Sequence, residues 1–434
     1  MSDTHQSLLA RDARVLWHPY SHAETEPELA CVVSARGAWL ELADGRRVLD
    51  AISSWWTCLH GHGTPEIADA IARQARTLDH VLFAGATHEP GIEAAERLVR
   101  MAPPGLTRVF YSDDGSTAVE VALKLCLQRA ALSGERRRIF VALEGGYHGD
   151  TFGAMSVGED SIFTKPFDGH RFEVARIPAP NGLGDLEGAE RALAALERLL
   201  GARAREIAGV ITEPMLQGVA GMRLQPAAFL RGVRALTRNA GVPWIADEVL
   251  TGFGRTGRLF ACEHADVSPD LLCVAKGLTG GVLPLAATLV PEDWYASCQG
   301  GDRANAFFHG HSFTGNPIAC AAAAASLDLC SRPRFLAEVE RIGARLEAGL
   351  APLRGTAGIR EVRRLGAVAA VELSAGAGYL APSALEIRRL SLQQGVLLRP
   401  LGNVIYAMPP IATTDEECDR IAAVIRIAAQ IQPR

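Results

Sequence analysis

Residues 242–281 read VPWIADEVLTGFGRTGRLFACEHADVSPDLLCVAKGLTGG. Two short apolar runs, 242–246 and 271–275, each stop on a charge, Asp247 and Lys276. Runs this short, bounded by turn residues, predict buried strands rather than helices. Working back toward the N-terminus, EIAGVIT (206–212) and RIFVAL (138–143) repeat the pattern. Between the runs lie amphipathic stretches at 186–200 and 227–240, and Val119, Ala122, Leu123 and Cys126 fall at helical spacing after Gly115-Ser116. Strands alternating with helices predict βαβ units. The expected fold class is α/β, with a mostly parallel central sheet flanked by helices in a large domain.

The ends follow a different pattern. Residues 30–50 predict a hairpin turning at Asp44-Gly45. After Pro333 come a long helix (335–350), strands at 359–364 and 367–373, a helix near 383–394 and a last helix from Asp415. This predicts a smaller α+β domain. The expected organisation is an N-terminal segment (1–59) that joins a C-terminal small domain (331–434) around a large domain (60–330).

The composition fits a globular chain. Of 434 residues, 48% are hydrophobic and 21% charged, which excludes long disorder. Lys plus Arg number 44 against 49 Asp plus Glu, a net charge of -5, which argues against nucleic acid as a partner. Nine cysteines, odd in number and without a CxxC pair, predict buried thiols in a reducing, cytoplasmic setting rather than a disulfide framework. Residues 1–11 lack an apolar core, and 277–291 is too short to cross a bilayer. The segment 304–327 is long enough but contains His309, His311, Asn316 and Pro317. No membrane partner is expected; the charge-free 304–327 is expected to be buried.

Four features carry chemistry. Lys276 ends an apolar run before a glycine loop. It is either a strand-end lysine reaching solvent, or a buried amine whose lowered pKa frees it as a nucleophile for Schiff-base chemistry. Asp247 sits at the neighbouring strand's mouth, where α/β sheets bind ligands. It could cap a helix, bind a metal or pair with a protonated ring nitrogen, and the lack of a metal-spaced partner favours the ring over the metal. Ser112-Asp113-Asp114-Gly115-Ser116-Thr117 opens a helix, as a phosphate loop or as a plain N-cap. Tyr147, in Gly145-Gly146-Tyr147-His148-Gly149, follows the RIFVAL strand and could stack on a flat ring. A phosphate loop, a stacking aromatic, an Asp and a Lys on successive strand ends together describe pyridoxal 5'-phosphate. His60-x-His62 and His309-x-His311 lie on glycine-rich loops and are read as loop residues, not metal ligands. Arg255, in GFGRTG, either touches substrate or orders its loop.

Those segments resemble the class III, fold-type I aminotransferases. The likeness rests on WHPY (17–20), SSWW (53–56), GSTAVEVALK (115–124), YHGDTFGAMSV (147–157), EPMLQGVAGM (213–222), IADEVLTGFGRTGRLFACEHA (245–265), AKGLTGG (275–281), HGHSFTGNPIACAAA (309–323) and LLRPLGNVIYAMPP (397–410). Within the class, WHPY, SSWW, YHGDTFGAMSV and RPLGNVIY are most similar to the branch that aminates 8-amino-7-oxononanoate in biotin synthesis. The resemblance implies that Lys276 binds the cofactor covalently and serves as general base, while Asp247 holds the pyridine nitrogen protonated. It implies that Gly115 and Ser116 bind the phosphate and Tyr147 stacks on the ring. It further implies a homodimer with shared active sites, in which Gly310 reaches toward substrate and His311 and Ser312 toward the other chain's phosphate. Tyr20, Trp55 and Arg399 match substrate positions, with Tyr147, Lys276 and Gly310 also facing substrate. The implied reaction is a ping-pong transamination giving 7,8-diaminononanoate, with S-adenosyl-L-methionine as the usual donor and lysine in some members. Other readings are a general ω-amino-acid or diamine aminotransferase, an aminomutase of the glutamate-semialdehyde type, and a non-catalytic binding protein. The chain departs from some relatives at two places. Asp114-Gly115-Ser116 replaces Ser-Gly-Ser, which suits a phosphate only if Asp114 points away, and His311-Ser312 replaces Pro-Thr.

Overall fold

A computed structural model of the chain describes residues 2–22, 24–25, 29–375 and 378–431. The larger of its two units, Glu66–Leu336, is built on a seven-stranded sheet. In spatial order the strands are Arg108–Ser112, Ala286–Val290, Leu271–Val274, Trp244–Asp247, Ile207–Thr212, Ile139–Leu143 and Val174–Ile177. Five of these strands are buried along their whole length, and their largely apolar sequence reflects helices on both faces. Only Ala286–Val290 runs antiparallel to its neighbours. The short link 275–285 has no room for a crossover helix, so the chain doubles back.

Because the other six strands share one direction, Ser112, Leu143, Thr212, Asp247 and Val274 end on one edge of the sheet. Helix Gly115–Leu132 packs beneath that edge with Ala118, Val119, Ala122 and Leu123 buried. Trp244 is fully buried, and its indole N–H donates to Thr212 Oγ1 at 3.0 Å, tying two central strands together. Truncating such a side chain costs about 3–5 kcal/mol. Helix Pro317–Cys330, capped by Asn316, is buried as expected, and its Ser326 Oγ donates to Gly277 O at 3.0 Å. The loop before it departs from expectation. Phe308 and Phe313 are 72% and 63% exposed, because a loop cannot bury both its backbone and two large rings without a partner surface.

The second unit, Met1–Pro65 with Ala337–Arg434, holds two small sheets. In one, Val32–Arg36, Trp39–Leu42 and Arg47–Asp50 form an antiparallel meander, and Val396–Leu397 adds in parallel. Where one hairpin is predicted there are two bends. Asp44-Gly45 makes the second, and Gly37, at φ +60°, makes the first without a turn dipeptide in the sequence. The other sheet joins Ile359–Leu365, Val368–Leu373 and Val404–Ala407, all antiparallel. Helices Ser2–Val15, Pro382–Gln393 and Asp415–Ala428 and most of Phe335–Leu350 belong to this unit, and Asp415–Ala428 starts with a capping box from Thr414 and Glu417. All nine cysteines are free thiols, eight of them buried. Among the described residues, no helix is long and apolar enough to cross a membrane.

Candidate active site

The common strand edge collects charge. Asp247, the last residue of its strand, is only 5% exposed. Its Oδ1 accepts the Val249 N–H at 3.0 Å, and its Oδ2 lies 2.7 Å from His148 Nδ1. His148 is itself buried. Burial disfavours its charged form, but the hydrogen bond to Asp247 and the charges of Asp247 and Glu213 outweigh this, so its pKa is raised. Glu213, buried just past strand Ile207–Thr212, accepts the Tyr147 N–H and the Gly218 N–H, each at 3.0 Å. Desolvation pushes its pKa up to about 7.

Lys276 follows strand Leu271–Val274 and opens a tight turn, Lys276–Thr279, with φ +46°. A left-handed lysine costs of order 1–3 kcal/mol, a strain that clusters at functional positions. Burial lowers the ammonium's pKa to about 8, against the opposing pull of Asp247 and Glu213 and with help from Arg255. Lys276, Asp247, Glu213 and His148 therefore form one electrostatically linked group.

The helix starting at Gly115 lies beside this group. A Cβ on Gly115 would come within 2.5 Å of Val249 Cγ1, so the position demands glycine. Ser116 Oγ accepts the Thr151 N–H at 3.1 Å and lies 2.9 Å from Thr151 Oγ1. Gly149 passes so close to Ser116 that any side chain there would collide with it. Glu120, one helical turn on, accepts the Gly153 N–H at 2.7 Å and the Thr151 hydroxyl, pinning the loop that carries Tyr147. Tyr147 is half-buried, and its hydroxyl donates to Asp150 at 3.0 Å. Asp114 is exposed and caps its own helix, its Oδ1 accepting the Thr117 N–H at 2.9 Å, so its carboxylate stays at the helix N-terminus.

The loop of Gly310, His311 and Ser312 leaves Gly310 and Ser312 exposed. His311 Nδ1 lies 2.9 Å from Asp113 Oδ2, beside the start of the same helix, and His309 Nδ1 lies 3.0 Å from Lys124 Nζ. The ring of His311 packs edge-on to that of His309, with centroids 5.1 Å apart.

Tyr20, Trp55 and Arg399 meet within the smaller unit. The Tyr20 and Trp55 rings make an edge contact at 5.5 Å. The Arg399 guanidinium lies over the Trp55 ring at 4.8 Å and donates to Tyr20 O at 3.2 Å. Trp55 belongs to a turn whose residues Ser53, Ser54, Trp55 and Trp56 all have positive φ, between 45° and 74°. Each such residue costs about 1–2 kcal/mol, so four in succession require external support.

The strand-edge residues fit pyridoxal 5'-phosphate. Gly115 leaves room for no side chain at the helix start, where free N–H groups favour a phosphate. The Ser112 hydroxyl, at the end of its strand, is buried and makes no hydrogen bond to a described residue. Asp247 presents a buried carboxylate suited to a pyridinium N–H, and Lys276 presents an amine with depressed pKa. Four residues with contacts in this group had no role from sequence: His148, Glu213, Glu120 and Thr151. Glu213 alone carried a readable signal, being a charge directly after an apolar strand, like Asp247.

Comparison with known proteins agrees with this chemistry. The family model for aminotransferase class III matches residues 20–428. The adenosylmethionine-8-amino-7-oxononanoate aminotransferase of Synechococcus elongatus is 47% identical, over 94% of this chain and 97% of its own. The enzyme of the same name from Nitratidesulfovibrio vulgaris is 43% identical, over 96% and 81%. Among solved structures, that from Methanocaldococcus jannaschii superposes with a TM-score of 0.91 at 34% identity, covering 97% of this chain and 99% of its own. An amine transaminase from an uncultivated Pseudomonas species, in a PLP-bound form, gives 0.89 at 31%, covering 95% and 98%. With the sheet, the desolvated lysine and the buried carboxylate all in agreement with a match over nearly its whole length, the chain belongs to the class III aminotransferases.

Proposed function

We propose that this chain transfers an amino group to 8-amino-7-oxononanoate, giving 7,8-diaminononanoate in biotin synthesis, with S-adenosyl-L-methionine as donor. The observation that carries the reading is the desolvated Lys276 amine acting in one field with the buried Asp247–His148 pair at the sheet edge. The substrate identity is supported by the shared name of relatives that match almost end to end.

Pyridoxal 5'-phosphate, when bound, supplies an electron sink that stabilises negative charge at the substrate's amine-bearing carbon. Gly115 and Ser116 hold its phosphate at the helix N-terminus, and Tyr147 covers its ring. Asp247 keeps a proton on the ring nitrogen. A carboxylate buried and backed by His148 remains in place without solvent to screen it, so its field acts at full strength. Lys276 would hold the cofactor's aldehyde carbon, and its amine would be the group placed to take a proton from, and return it to, the substrate's amine-bearing carbon. An amine with pKa near 8 can both accept and return that proton near neutral pH. Tyr20 and Trp55 give an aromatic wall for the acceptor's aliphatic chain or for adenine, and Arg399 offers a planar fork to a carboxylate.

The active unit is a homodimer with shared sites, Gly310, His311 and Ser312 of each chain serving the other chain's site. The exposed Phe308 and Phe313 on that loop support this, since two large rings need a covering surface. The protein works in the cytoplasm, on small molecules and with no nucleic-acid or membrane partner. The test is product analysis of the purified enzyme with 8-amino-7-oxononanoate and either S-adenosyl-L-methionine or lysine. 7,8-Diaminononanoate with the first donor is the expected result. Product with lysine alone reassigns the donor. Turnover of ω-amino acids or diamines without this product overturns the reading in favour of a general amine transaminase.

A further inference from the structure

The four-residue left-handed turn Ser53–Trp56 contains no glycine, and something must hold it. The answer lies in one carboxylate. Asp50, fully buried, accepts the Ile52 N–H at 3.2 Å and the Ser54 N–H at 3.0 Å through Oδ1. Its Oδ2 accepts the Ser54 hydroxyl at 2.8 Å and meets His62 Nε2 at 2.9 Å. His62 is anchored in turn by paired backbone bonds with Gly37, at 2.7 and 2.9 Å. Its pKa is raised to about 10, first by the Asp50 hydrogen bond and then by Cys58, so the ring is a cation facing a buried anion. Two further bonds fix the flanks of the turn. Ser53 Oγ donates to Met408 O at 2.7 Å, and Trp56 Nε1 donates to Tyr406 Oη at 2.9 Å. Of the two tryptophans, Trp56 is buried and Trp55 is left half-exposed, its ring carrying Arg399 and edged by Tyr20.

We propose that Asp50 and His62 are positioning residues for substrate specificity: their buried pair clamps the left-handed turn and so sets the orientation of the Trp55 wall and, through it, of Arg399. The inference rests on the reading of Trp55 as part of the substrate site. Neither residue touches the reacting atoms. Without the His62 cation, the Asp50 carboxylate is buried with amide and hydroxyl donors only. The turn then relaxes toward right-handed backbone, which swings the Trp55 side chain away from Tyr20 and Arg399.

The test uses the full-length holoenzyme and a double-mutant cycle. In His62→Ala, KM for 8-amino-7-oxononanoate should rise about tenfold or more, with kcat within about threefold, because the wall binds and the lysine reacts. Trp55→Phe should raise KM similarly. Adding His62→Ala to Trp55→Phe should then change KM by less than about twofold, since the clamp acts only through Trp55. His62→Gln, which keeps a donor toward Asp50, should recover part of the lost affinity, a rescue that simple destabilisation would not give. If His62→Ala fails to fold, Ser54→Ala, which removes one donor to Asp50, carries the same cycle with a smaller effect. Additive KM effects of His62→Ala and Trp55→Phe, or an unchanged KM in His62→Ala beside a raised KM in Trp55→Phe, overturn the clamp alone. An unchanged KM in Trp55→Phe overturns the substrate-site reading, and the clamp's role falls with it.

Discussion

The lysine's lowered pKa makes a quantitative prediction. Free lysine side chains titrate near 10.5, whereas Lys276 titrates at about 8 because burial penalises its ammonium form. At pH 7.5 the neutral, reactive fraction is then about one quarter rather than about one in a thousand, a gain of roughly 200-fold. The perturbation is pH, applied to the protein stripped of cofactor. The assay follows attachment of pyridoxal 5'-phosphate to Lys276, trapped with borohydride and counted by mass spectrometry. The rate should climb tenfold per pH unit below about 8 and level off above it. A plateau reached only near pH 10 would refute the desolvation argument. Glu213→Gln sharpens the test. Above pH 7 Glu213 is a carboxylate whose charge favours the ammonium, so removing it should move the plateau to lower pH; a move upward contradicts the field assigned to it. Stability shifts in the same window. Between about pH 8 and 10.5 the unfolded chain still binds a proton that folded Lys276 has lost, so the unloaded protein should gain stability as pH rises. The gain is about 3 kcal/mol at most.

Asp247→Asn should leave the fold intact, since the amide can keep the Val249 contact, yet lower kcat by about 100-fold or more because its ring partner loses a fixed charge. Retained kcat within a few-fold of wild type would remove Asp247 from that role. Arg399→Ala should weaken the keto-acid half-reaction by about ten- to a hundredfold in affinity, the worth of a charge-assisted fork, and the donor half-reaction much less. Equal loss in stopped-flow spectra of both halves would refute the carboxylate assignment. Mixing Lys276→Ala chains with inactive Ser312 variants should restore about half the wild-type activity per hybrid dimer, one intact site of two. No recovery after verified subunit exchange would mean that Ser312 serves its own chain's site.

What could be read in the sequence, and what could not, follows from the range of the forces involved. The central strands were legible because burial on both faces leaves them uniformly apolar, and Asp247 and Lys276 because a charge that ends such a run is conspicuous. Strand Ala286–Val290 was not legible. Its AATLV follows apolar loop residues without a break, and only the pairing with Arg108–Ser112 and Leu271–Val274 distinguishes it. His148 was hidden because its meaning lies in a carboxylate 99 residues away. The turn at Ser53–Trp56 is the extreme case. Every local rule sends Ser-Ser-Trp-Trp to right-handed or extended backbone, and no residue there is of a type that tolerates positive φ. Beyond its own backbone bonds, its conformation is held by Asp50, His62, Met408 and Tyr406, which converge on it from outside the turn. A locally unfavourable segment held by tertiary bonds persists only while those bonds do. That one segment carries both the strongest local conflict and the half-exposed Trp55 is therefore a reason to seek function there, since such conflicts concentrate where a side chain must be presented in a way that relaxed backbone does not allow.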